Sequence, residues 1–165
     1  MKTFEFTIVA SGVDHEADDF EDRFFEAGCD DATIAFARGA ILLQFMRKAE
    51  TLSDAVCSAI DAIKSVGASV DRVEPDHLVS LSEIAERANV SRAAISLYAK
   101  GERGANFPHP VARVTTGSPL WDWTHVARWL HERSQLAEDL VAEAEVIRAA
   151  NDTLADEHKR EREIA

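Results

Sequence analysis

The sequence predicts an α+β fold class: two small domains followed by a long helix. Three observations carry this. Periodic segments follow the order β-α-β-β-α-β across residues 1–76, and two short capped helices fill Leu81 to Tyr98. A helical pattern then continues beyond Thr124, with no Pro or Gly after Pro119. At 165 residues and 46% hydrophobic content, the chain has room for two cores and is too apolar for general disorder.

The first segment, TFEFTIV at residues 3–9, alternates, with Phe4, Phe6 and Ile8 on one side as in a half-buried strand. An acidic run from Asp14 to Asp22 leads into a helix expected to turn Phe20, Phe24 and Phe25 inward, with Gly28 ending it. Ala32–Ala37 and Ala40–Met46 read as paired strands around an Arg38-Gly39 turn. Thr51 caps a helix whose apolar stripe is Leu52, Val56, Ile60 and Ile63, and Gly67 closes it. Ser69–Glu74 is a weaker fourth strand, and Pro75 to Leu78 reads as the domain boundary. This order matches a ferredoxin-like sandwich over 1–76. Cys29 and Cys57 have no Cys-x-x-Cys spacing and are expected to be buried small hydrophobes.

In the second domain, 77–131, LSEIAERANVSRAAISLY parses as helix, turn, helix. Ser82 is the expected first cap; Ile84, Ala85 and Ala88 lie on its apolar side. Asn89-Val90 makes the turn, and Ser91 caps a second helix with Ala94, Ile95 and Tyr98 on one face. The opposite face carries Arg92, Ala93, Ser96 and Leu97, mostly small side chains that let a helix axis approach the floor of the major groove. A basic Gly-containing loop, KGERGA from Lys100 to Ala105, follows. FPHPV then leads into VARVTTGSPLWDW, two β-prone runs around Thr115-Thr116-Gly117-Ser118 that read as a wing over 111–121.

Leu78 to His131 resembles the winged helix-turn-helix regulators of the MerR and excisionase (AlpA-like) type. The resembling features are the two-helix block, the FPHPV step, the Leu120-Trp121 strand end, and THVARWL opening the next helix. The resemblance implies double-stranded DNA as partner, with helix 91–99 in the major groove and the wing on the backbone. Arg92 and Ser96 are then expected at base edges, Ala93 against a thymine methyl, and Ser91 with the helix N-terminus at a phosphate. Lys100 and Arg103, with Arg113 and Thr115 or Thr116, are expected at phosphates and the minor groove. Trp121, Trp123 and Trp129 read as core.

Charge is divided unevenly. Residues 1–77 hold 7 Lys+Arg against 16 Asp+Glu, residues 78–133 hold 7 against 5, and residues 134–165 hold 4 against 9, within a net −12. Only the middle block is positive, and counterion release needs a local basic face rather than a basic protein. In the tail, 132–165, Leu140, Ile147 and Leu154 recur every seven residues. Ala137, Ala144 and Asn151 stand three before each, a short heptad seam with Asn151 as register-setting residue. A homodimer through that helix is one expectation, and a helix folded back on its own chain is the other.

No His-Glu-x-x-His motif, Lys-Ser/Thr phosphate loop or converging triad is legible. The Asp14-His15-Glu16 cluster reads as a solvated loop, and no enzyme, metal or cofactor is expected. The absence of an 18-residue apolar run and of a signal-peptide core makes no membrane partner and a cytoplasmic location the expectations. The acidic first domain is open to a small ligand, sheet-paired dimerisation or a protein partner. The alternative function is accordingly an antitoxin-like or adaptor protein acting through that domain.

Overall fold

A computed structural model describes residues 1–164 as a mixed α+β chain of two compact units, residues 1–75 with 149–164, and residues 76–148. The elements of the first unit begin with β1 (Lys2–Ser11) and α1 (Phe20–Phe24), the latter followed by a π-helical turn at Phe25–Cys29. They continue with β2 (Ala32–Ala37), β3 (Ala40–Ala49), α2 (Leu52–Ser65) and β4 (Ser69–Glu74). The four strands form one antiparallel sheet in the order β2-β3-β1-β4.

Strand alternation places Phe4, Phe6, Ile8 and Ala10 of β1 and Ile41, Leu43 and Phe45 of β3 in the core. Val70 and Val73 of β4 are both buried although three residues apart, an offset that simple alternation forbids. A β-bulge resolves it. The β1–β4 register shifts between Val9 and Ala10, so Asp71 is the extra residue and both valines stay inside.

Thr51 caps α2 by accepting from the Asp54 N–H at 3.1 Å, and α2 buries Leu52, Ala55, Val56, Ala59 and Ile63. Ile60, expected in that stripe, is only half-buried; the small Ala55 and Ala59 let the helix lie close to its neighbours instead. Phe20 and Phe24 are buried four residues apart, whereas Phe25 is 62% exposed, since the next residue is rotated by about 100° around a helix. Arg38 (φ 52°) and Gly39 (φ 81°) make the expected β2–β3 turn.

Arg47 ties this unit together. Its Nε and Nη2 meet the Asp31 carboxylate at 2.8 and 2.9 Å, Nη1 reaches Ser58 Oγ at 3.0 Å, and Nη2 also donates to the Gly28 carbonyl. Beside it Cys29 is buried, and burial pushes its thiol up to about 11, so it stays protonated at neutral pH. Cys57 is exposed rather than buried, because it falls on the outer side of α2; neither cysteine is bridged.

The second unit contains β5 (Leu78–Val79), α3 (Leu81–Ala88), α4 (Arg92–Ala99), β6 (Trp121–Asp122) and α5 (Trp123–Glu132). The helix α6 (Glu138–Ile164) contributes its first part to this unit and its last part to the first. Val79, Ile84, Ile95, Tyr98, Trp121, Trp123, Val126, Trp129 and Leu130 are buried in one core with Val141 and Ala144 of α6. All three tryptophans are therefore core residues, as their spacing predicts. Burying each such side chain contributes about 1.5–3 kcal/mol.

The heptad seam of α6 is consumed within the chain. Ala144, Ile147, Asn151 and Leu154 are buried, while Leu140 is 39% exposed. Asn151 is no coiled-coil register residue. Its Oδ1 accepts from Val73 N–H at 2.7 Å and its Nδ2 donates to Val73 C=O at 2.9 Å, so the amide stands in for a fifth strand at the β4 edge. A helix of this kind among the described residues is not long and apolar enough to cross a membrane, nor is any other.

Each of two buried polar clasps can be tested by substitution. Asn151→Ala leaves both Val73 groups unpaired in a buried position. The expected loss is about 1–3 kcal/mol, read as a lower urea midpoint at unchanged slope. The second concerns Asp122, which caps α5 from a buried position: Oδ1 accepts from Thr124 N–H (2.9 Å) and Oγ1 (2.6 Å), and Oδ2 from the Arg148 guanidinium. Burial alone would raise its pKa, but the Thr124 bonds, His125 and Arg148 outweigh burial and hold it below the usual range. Its stabilisation is thus complete above the ordinary Asp value of about 4 and is lost as pH falls through the lower folded value. Asp122→Asn should cost about 1–3 kcal/mol at neutral pH and flatten the acid limb of a melting-temperature profile.

Candidate nucleic-acid interface

The α3–α4 pair is held by local chemistry at every junction. Ser80, not Ser82, caps α3: Ser80 Oγ accepts from Glu83 N–H at 3.2 Å and Glu83 Oε1 accepts from Ser80 N–H at 3.1 Å. The Ser-x-x-Glu capping box is legible in the sequence and is the better signal than the serine two residues later. Asn89 ends α3 in the left-handed region (φ 54°), as the turn requires, and Val90 packs against the core. Ser91 caps α4 as expected, its Oγ accepting from Ala94 N–H at 3.1 Å.

On α4, Ile95 and Tyr98 are buried; Ser91, Arg92 and Ala93 are exposed, and Ser96 is partly so. Ser82 instead accepts from Arg92 Nη1 at 3.2 Å, a restraint across the helix pair that holds the guanidinium near the N-terminal end of α4. Lys100 is the exposed C-terminal cap of the same helix, and the Arg103 guanidinium lies 5.8 Å from the Tyr98 ring centroid. Six of the nine predicted residues, Ser91, Arg92, Ala93, Ser96, Lys100 and Arg103, are thus carried by α4 and the loop leaving it.

That loop is anchored by aromatics. Trp129 Nε1 donates to Ala105 C=O at 2.9 Å and Trp121 Nε1 to Pro108 C=O at 3.0 Å, while Phe107 stands 5.0 Å from the Trp129 ring. Gly104 has φ 72°, and a Cβ there would meet Trp129 Cζ2 and Arg133 Nη1 at 3.1 Å, so only glycine closes the loop onto this cluster. Arg133 stacks on Trp129 (4.7 Å) and Tyr98 (5.4 Å), and Arg128 is paired with Glu145 at 2.7 Å. Neither cation entered the sequence-derived set, and both are committed to packing or pairing.

The remaining three residues, Arg113, Thr115 and Thr116, lie in a separate exposed turn. The expected two-stranded wing is reduced to a single bridge, Ala112 with Leu120. The ladder stops there because Arg113 adopts φ 54° and Pro119 offers no N–H. The return strand then pairs elsewhere, Trp121–Asp122 with Leu78–Val79. Thr116 Oγ1 donates to the Arg113 carbonyl at 2.8 Å and accepts from Ser118 N–H at 3.2 Å, so Thr116 shapes the turn and Thr115 is its outward hydroxyl neighbour.

Charge sharpens the picture. Residues 87–121 contain 5 Lys+Arg and a single acidic residue, Glu102, in a chain that has 30 Asp+Glu overall. The acid-poor stretch spans the last turn of α3, α4, the anchored loop and the Ala112–Leu120 turn. Among the described residues no group of three His, Cys, Asp or Glu side chains is placed to hold a metal ion. Comparison with known proteins gives no match: neither a family model, nor a curated protein, nor a solved structure matches the chain.

Proposed function

We propose that this protein is a sequence-specific DNA-binding transcriptional regulator with double-stranded DNA as its partner. In this reading residues 77–131 act as a winged helix-turn-helix of the MerR and excisionase type, with a shortened wing. The first unit is a ferredoxin-like sandwich, a reading that its strand order β2-β3-β1-β4 supports. The observation that carries the function is α4 itself. It is a helix capped by Ser91, pinned by Ile95 and Tyr98, and showing solvent a guanidinium beside Ala93 and Ser96, with no acidic residue in its eight positions.

Arg92 reads a base edge from the first turn, Ser96 follows one turn later, and Ala93 leaves room for a thymine methyl. Lys100, Arg103 and Arg113 contact phosphates without sequence preference. A second reading is favoured by the acidity of the first unit: an adaptor or antitoxin-like protein whose acidic surface binds a basic partner.

Binding of the full chain to the DNA upstream of its own coding region, over a salt series with non-specific competitor, separates the two. Arg92→Ala should lose about 1–3 kcal/mol of discrimination and relax specificity at one position. Lys100→Ala should weaken all sequences alike and reduce the salt slope by about one. Competitor-sensitive binding unchanged by Arg92→Ala would reject the DNA reading in favour of the adaptor.

A further inference from the structure

The two edges of the four-stranded sheet are treated differently. At β4 the Asn151 amide satisfies the backbone of Val73, and α6 occupies the edge. At the other edge β2 reads Ala-Thr-Ile-Ala-Phe-Ala, with neither a charge nor a proline, and Thr33, Phe36 and Ala37 are exposed. An uncharged, unbulged edge strand is a template for another strand, and natural sheets ordinarily block it.

We propose that β2 pairs antiparallel with β2 of a second copy of this chain about a two-fold axis, joining two four-stranded sheets into one. The backbone fixes which groups would bond. The two-residue Arg38-Gly39 turn makes Ala37 and Ala40 a hydrogen-bonded pair, and Met46 N–H donates to Asp31 C=O at 3.1 Å. The β3-directed groups therefore belong to the odd positions 31 to 37, and the N–H and C=O of Ala32, Ile34 and Phe36 point away from the sheet.

A two-fold axis perpendicular to the sheet keeps the helix-covered faces on one side, so residues of like parity stand opposite each other. Centring the axis on Ile34 sets Ile34 against its own copy and Ala32 against Phe36, so all outward groups on both strands are paired. The same register sets Asp30 against Arg38 of the second copy, twice by symmetry. Both side chains are exposed just beyond the strand ends. Centring on Ala35 instead sets Arg38 against Ala32 and loses both ion pairs. Charge complementarity therefore selects the occupant as a second copy and selects the register. This inference does not rest on the DNA-binding reading.

Sedimentation of the full chain over a concentration series tests it. The wild type should dimerise reversibly. Arg38→Asp and Asp30→Arg, each converting two attractions into two repulsions, should weaken dimerisation about tenfold or more. The double variant Asp30→Arg/Arg38→Asp should restore it, with melting curves confirming that each variant folds. Hydrogen exchange on the wild type needs no variant: the Ile34 amide should slow as concentration rises. A monomer at all concentrations, a dimer indifferent to both reversals, a double variant no better than the singles, or an Ile34 amide insensitive to concentration would each overturn the proposal.

Discussion

The peptide groups of Val73 set the constraint on which the first unit depends. They lie at the edge of a small sheet, buried and out of reach of solvent, where an unpaired N–H or C=O costs as much as a lost core contact. Asn151, 78 residues away in sequence, supplies both a donor and an acceptor in one side chain. No apolar residue could do so, and a carboxylate could do only half. The helix that delivers Asn151 adds the buried Leu154 and a Lys64–Glu157 pair at 3.0 Å. A segment that reads as an appendage thereby becomes a structural member of the domain formed by the first 75 residues.

The same logic governs the second unit, where Asp122 is the polar group that cannot be left alone. It ends β6, caps α5 and accepts from Arg148 while almost fully buried. Trp123 N–H donates to the His77 carbonyl at 2.7 Å, closing the short β5–β6 pair next to it. The surface helix α4 is capped by Ser91 and tied to its surroundings by the Arg92–Ser82 and Tyr98–Gln135 hydrogen bonds. It is seated by Ile95 and by Tyr98, whose ring meets Trp129 at 4.9 Å. Of its outward residues, Ser91 caps the helix and Arg92 bonds Ser82, while Ala93 is exposed and Ser96 half-exposed.

Local signals were legible in the sequence and remote ones were not. Thr51, Asn89, Ser91, Gly67 and the Arg38-Gly39 turn each act within a few residues, and the structure uses each as read. Strand alternation gave the inward faces of β1 and β3. Three features escaped because their partners are distant. The heptad in α6 could not say that its seam faces its own chain. The offset of Val70 and Val73 needed the register of β1 to show the bulge at Asp71. The return run at Trp121 could pair with either of two segments, and it chose Leu78–Val79 over the wing. Phe25 is a different failure, one of phase: three phenylalanines within six residues cannot all face one side of a helix.

Net charge is a poor guide to whether such a chain meets a polyanion, and its layout explains why. In the proposed DNA complex Arg92, Lys100, Arg103 and Arg113 would act at contact, where counterions are displaced. Acids lying more than a Debye length of about 8–10 Å from the duplex would have their repulsion largely screened. Salt therefore has two opposed effects. On the proposed DNA binding it would weaken the contacts of Lys100, Arg103 and Arg113, and it would also screen the repulsion of the acidic remainder. If the DNA reading holds, the observed salt slope should be shallower than the number of phosphate contacts alone would give. Removing the acidic charge of the first unit should steepen it toward that number.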